Sequence, residues 1–105
     1  MRGHLYANTL AAISSDSLGP TADLSRLDLT EASISFLGPA LQKASTTTCL
    51  DLRSNPELGN GGVWAVALAI GGTGVVEVRL QGCGADKEAL QVVKDACAAS
   101  RRMLA

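Results

Sequence analysis

Aliphatic and polar residues alternate in three short stretches: LSRLDL at 24–29, TTCLDL at 47–52 and VVEVRL at 75–80. Leu27 and Leu29, Leu50 and Leu52, and Val78 and Leu80 each recur at a period of two, which turns one face of a strand into a core. A loop and then a helical pattern follow each stretch in nearly fixed phase. Ile34 follows Leu29 and Leu58 follows Leu52 at nearly equal offsets, and Gly38 and Gly62 each stand four positions beyond them. The chain thus repeats one strand, loop and helix unit, which predicts an α/β fold with a three-strand parallel sheet.

On this alignment the units are unequal, the step from Leu27 to Leu50 being shorter than that from Leu50 to Val78. Most of the mismatch falls inside the helical part, because Gly38 stands four positions closer to Leu50 than Gly62 does to Val78. Four positions are about one helical turn, so the first helix is expected to be one turn short. The expected organisation is a single domain over 1–105, with a leading helix and loop at 1–23 and repeats at 24–46, 47–74 and 75–105.

These units resemble the leucine-rich repeat family in its ribonuclease-inhibitor-like form, whose pattern is LxxLxLxxNxIxxxGxxxL. The closest match is LDLRSNPELGNGGVWAVALAI, with Asn55 at the asparagine position, Leu58 at the next aliphatic position and Gly62 opening the helix. It carries one extra residue between Asn55 and Leu58. The first copy has Ala32 where asparagine is usual; the third has Cys83 there and Ala89 in place of the glycine. The resemblance covers roughly residues 24–97 and implies a short right-handed β/α solenoid. For function it implies only surfaces that bind other proteins.

Composition narrows the picture. A chain of 105 residues makes one domain, able to bury about 65% of its unfolded surface. Apolar residues make up 47% but aromatics only 3%, so the core must be aliphatic and alanine-rich. A net charge of −1 offers no field for nucleic acid or an anionic membrane. The one adjacent basic pair, Arg101 and Arg102, suits the C-terminal dipole of a last helix running from about Asp86 to Arg102. The longest apolar run, Val63 to Ile70, is too short to span a bilayer. Residues 1–15 lack acids, yet one arginine is too few for an organellar presequence, and HLYANTLAAI is expected as a helix covering the start of the stack.

Three cysteines at spacings of 34 and 14 match no zinc pattern and leave one unpaired in any disulfide scheme. They point to a reducing, cytoplasmic setting. Cys83 and Cys97 are expected to be buried, and Cys49 to face outward as the one thiol worth testing for reactivity. Glycines at 59, 61 and 62 lack the lysine of a phosphate loop, and those at 71, 72 and 74 fit a helix end. His4, the sole histidine, and Ser14, Ser15, Asp16 and Ser17 assemble no triad by spacing. No catalysis, cofactor or metal site is predicted.

Two surfaces are candidates for partner binding. Outward residues of adjacent strands should form lateral rows about 4.8 Å apart: Arg26, Cys49 and Glu77; Asp28, Asp51 and Arg79; Thr30, Arg53 and Gln81. Asp51 and Arg79 would make a weak exposed ion pair. The second surface lies on the helix after Gly62. Aligned from Gly62 and Ala89, Trp64 falls opposite Gln91 and Leu68 opposite Asp95. Trp64 and Leu68 share one helix face while Val66 and Ile70 point inward. Trp64 is then either an interface anchor or the filler of a gap left by a short first helix.

The function expected from the resemblance is a non-catalytic protein-interaction or scaffold subunit of a larger cytoplasmic or cytoskeletal assembly, such as a ciliary axoneme. Self-association through an open edge strand is a further expectation, because the last helix cannot pair with the third strand's edge. The alternative is a regulatory inhibitor that grips an enzyme through the sheet rows.

Overall fold

A computed structural model describes residues 2–17 and 19–104, with side chains described over 5–17 and 19–100. The side chains of His4, Arg101 and Arg102 lie outside the described residues. The element order is α1 (Arg2–Ser14), β1 (Thr21–Asp23), α2 (Glu31–Ile34), α3 (Leu37–Lys43), β2 (Cys49–Asp51), α4 (Gly59–Ile70), β3 (Glu77–Arg79) and α5 (Lys87–Leu104). The fold is mixed α/β, and its parallel sheet runs in the order β1-β2-β3.

The first strand is not where the alternation of LSRLDL places it. Ala22 pairs with Leu50 and Leu50 with Val78, so Leu27 does not face Leu50. The reason lies in the backbone. Arg26 and Asp28 adopt φ of 57° and 56°, a left-handed conformation that no extended strand contains. LSRLDL is therefore the loop that follows β1, in which Leu27 and Leu29 happen to keep the period of two.

With this register the repeats become regular. The step from Ala22 to Leu50 equals the step from Leu50 to Val78, and the first unit starts near Thr21 rather than at residue 24. A left-handed residue recurs at the same point of each unit: Arg26 (57°), Ser54 (62°) and Gly82 (77°). The asparagine position is held by Leu27, Asn55 and Cys83.

Asn55 shows why that position matters. Fully buried, its Nδ2 donates to the carbonyls of Leu52 at 2.9 Å, Leu24 at 3.0 Å and Arg53 at 3.4 Å. Its Oδ1 accepts the amides of Leu27 at 3.0 Å and Leu29 at 3.1 Å. One side chain thus satisfies loop backbone groups of two neighbouring units, which would otherwise be buried without partners. Cys83 does less at the same place, donating its thiol to Leu52 O at 2.9 Å.

No helical turn is missing from the first unit. Its helical part runs from Glu31 to Lys43 and is broken at Ser35 and Phe36. Pro39 causes the break: it has no N–H, and its ring would collide with the carbonyl of Ser35 in a continuous helix. Ile34, Leu37 and Leu41 are the buried counterparts of Val63, Val66 and Ile70, at a step one position longer than the sheet's. Ala89, Val93 and Cys97 are the buried counterparts of Gly62, Val66 and Ile70, at a step one position shorter. The loops thus vary by one residue while the sheet keeps its step. Gly38 accordingly matches Ala67 rather than Gly62, and the alignment of Gly62 with Ala89 is the one the burial pattern follows. Gly72, at φ 76°, supplies the left-handed residue just past α4.

Helix α1 packs on α3 and β1. Tyr6 and Ile13 enter the common core, and the Tyr6 hydroxyl donates to Ser33 O at 2.7 Å. Burial pushes the Tyr6 phenol up to about 12. Beyond the helix, the Asp16 carboxylate accepts the amides of Ser45 and Thr46 at 2.8 and 3.1 Å and their hydroxyls at 2.6 and 3.1 Å. This clamp joins the end of α1 to the loop entering β2. Among the described residues, no helix is long and apolar enough to cross a membrane.

Candidate interaction surfaces

The sheet face away from the helices carries rows that differ from expectation in their first members. The register sets Thr21, Cys49 and Glu77 side by side, then Asp23, Asp51 and Arg79. Two positions on come Ser25, Arg53 and Gln81, which line one small cleft. Arg26, Asp28 and Thr30 drop out of the rows because the left-handed turns at 26 and 28 lie past the strand.

The ion pairs also run along the strands, not across them. Asp51 is paired with Arg53 in a fork, Nε to Oδ1 at 2.9 Å and Nη2 to Oδ2 at 2.8 Å. Arg79 Nε donates to Glu77 Oε2 at 2.9 Å. Residues two apart on a strand share a face, so each arginine meets an acid of its own strand. Hydrogen bonding from Arg53 holds the Asp51 carboxyl below its ordinary value. Asp51 is only 6% exposed and Cys49 7%, so Cys49 lies on the outward sheet face, as expected, but is buried there and not an accessible thiol. The strands on both sides shield the side chains of β2. Burial, with Glu77 beside it, pushes the Cys49 thiol up, away from the thiolate that nucleophilic chemistry needs. Cys83 and Cys97 are buried as well, and none of the three joins a disulfide among the described residues.

The helix layer presents a different surface. Trp64 is 49% exposed and Leu68 81%, so Trp64 fills no gap in the core. Their counterparts on α5 are polar and bonded to each other, Gln91 Nε2 to Asp95 Oδ1 at 2.9 Å. Beside them runs an open groove of about 740 Å³ between α2–α3 and α4, lined by Ala32, Ser35, Gly38, Ala65, Leu68 and Ala69. Small side chains leave the space between the two helical segments unfilled; of the large apolar groups on the wall, Ile34 is buried and Leu68 is exposed, and Glu31 adds a charge to the lining. Phe36, 64% exposed, sits in the chain between the groove residues Ser35 and Gly38. Sequence reasoning missed Phe36; the available signal was an aromatic residue three before Pro39, at the point where a helix must break.

A third feature is the free edge of the sheet. Val76, Val78, Leu80, Leu90, Val93 and Cys97 line a groove of about 450 Å³ between β3 and α5, with Glu77, Gln81 and Lys94 at its rim. Leu50 and Leu52, in the middle strand's unit, are fully buried, whereas Val78 and Leu80 remain partly exposed.

No group of three or more His, Cys, Asp and Glu side chains able to hold a metal occurs among the described residues. No protein-family model matches the chain, and comparison with curated proteins and with solved structures finds no match.

Proposed function

We propose that the chain is a non-catalytic protein-interaction or scaffold subunit, built as a short leucine-rich-repeat stack, and that the α4 face is its principal docking surface. The observation that carries this is the exposed Trp64 and Leu68 pair at positions where α5 has the bonded Gln91 and Asp95. Isolated surface leucines are ordinary, but a half-exposed tryptophan beside a leucine and an apolar groove is the composition of an interface anchor. The constant step between strands and the asparagine bridging two units support the repeat-stack reading. The partner would be another protein presenting an apolar ridge or helix to the α2–α3/α4 groove.

Binding through the sheet rows, as an inhibitor module would do, is the competing mode. Its polar groups are largely committed to each other, Arg53 to Asp51 and Arg79 to Glu77, which leaves less to offer a partner. The two modes separate by mutation. Trp64→Ala/Leu68→Ala should weaken capture of the partner from a lysate of the source cells by about tenfold or more, the size of a hot-spot loss. Arg53→Ala/Arg79→Ala should leave capture within about twofold. The reverse pattern, with circular dichroism showing both variants folded, would transfer the docking site to the sheet.

A further inference from the structure

The free edge of β3 is self-complementary, and we infer that it pairs with the β3 edge of a second copy of this chain in an antiparallel, two-fold symmetric dimer. This stands independently of the α4 face, which lies elsewhere on the helix layer.

The backbone comes first. Val76 and Glu77 donate to Thr48 O, and the carbonyls of Arg79 and Gln81 accept from Leu52 and Ser54. Residues 77, 79 and 81 therefore direct their backbone groups at β2, and by the alternation of a strand Val78 and Leu80 direct theirs at the open edge. A two-fold axis at Val78 makes Val78 and its copy a hydrogen-bonded antiparallel pair, each amide donating to the other's carbonyl. Axes at Arg79 or Leu80 would also use outward amides, but the first sets arginine against arginine and the second sets Arg79 against the copy's Gln81.

Side chains agree on both faces. Centred on Val78, the pairing sets Glu77 opposite the copy's Arg79 and Arg79 opposite the copy's Glu77. These are non-hydrogen-bonded positions, where side chains approach most closely, and opposite charges there are favourable. The Arg79 guanidinium, now on its own Glu77, keeps an acid on both sides. On the helix side, Val76 meets the copy's Leu80 and Val78 meets itself, closing the two apolar grooves against one another. Lys94 lies at the rim, where its stem can follow the apolar surface and its ammonium stays in water.

Head-to-tail growth, β3 onto the β1 of another copy, is hindered. Helix α1 already packs against α3 and β1, in the place where the α5 of an incoming copy would have to lie. An isologous contact that closes after two copies is left.

Light scattering after size exclusion, from micromolar to millimolar concentration, tests this with surface variants that leave the core alone. The unaltered chain should reach twice the mass of one chain. Glu77→Arg, which sets arginine against arginine twice per dimer, should raise the dissociation constant about tenfold. The double exchange Glu77→Arg/Arg79→Glu restores opposite charges and should return it to within about threefold. A monomer at every concentration overturns the proposal, and so does a dimer that Glu77→Arg does not weaken or that the double exchange does not rescue. None of these outcomes bears on whether Trp64 and Leu68 bind a partner.

Discussion

At the scale of the residue, Asn55 and Asp16 each hold together two parts of the chain that are far apart in sequence. Asn55→Ala would leave buried loop groups of Leu24, Leu27 and Leu29 without their partner. At about 1–3 kcal/mol for each unsatisfied group, the expected loss is several kcal/mol, read as a lower midpoint in urea. Asn55→Cys, which copies the third unit, should retain more stability than alanine. Asp16 works through charge. Hydrogen bonds from the Ser45 hydroxyl and backbone, then from Thr46, hold its carboxyl down to about 2 from 3.8. A depressed carboxyl stabilises the fold above its unfolded pKa, and that contribution is lost as pH falls from about 4 towards 2. Thermal melts of Asp16→Asn should therefore fall less steeply over that window than those of the unaltered chain; equal slopes would remove the clamp from the account. Thr47 is a different case, since its buried hydroxyl has no hydrogen-bond partner among the described residues. Thr47→Val should be neutral or stabilising by up to about 1 kcal/mol in denaturant unfolding.

Elements show what could be read from the sequence and what could not. The parallel strands β2 and β3, the phase of α4 against α5 and the outward aspect of Trp64 and Leu68 were legible, because burial on one face imposes a period that polar exceptions reveal. The first unit was not. Leu27 and Leu29 keep a spacing of two beyond β1, one position out of phase with Ala22 and Leu24, and the left-handed conformations of Arg26 and Asp28 mark that the strand has ended. Neither residue type announces such a turn as glycine does at position 82. Likewise, pairing of Asp51 with Arg53 rather than Arg79 depends on rotamers, which spacing does not fix. The same element logic predicts opposite outcomes on α4. Trp64→Ala/Leu68→Ala removes exposed groups and should cost less than about 1 kcal/mol. Val66→Ala empties a fully buried site and should cost roughly 1–3 kcal/mol, measured by the same urea titration.

For the whole molecule, the two ends of the sheet are treated differently. One is closed by α1, tied down through Tyr6 and Asp16, and the other is an open edge above an apolar groove. The sheet thus has one covered end and one open end, and each proposed surface follows from where the strands lie. Placement of the α2–α3/α4 groove, the identity of the rows and the symmetry of the β3 edge all rest on the register that aligns Ala22, Leu50 and Val78. Interstrand nuclear Overhauser effects in the isotope-labelled chain measure that register directly. Contacts linking the backbone of Ala22 to that of Leu50, and Leu50 to Val78, with the amides of Leu27 and Leu29 close to the Asn55 side chain, are the predicted result. Contacts placing Leu27 across from Leu50 would contradict it, and with it the surfaces built on it.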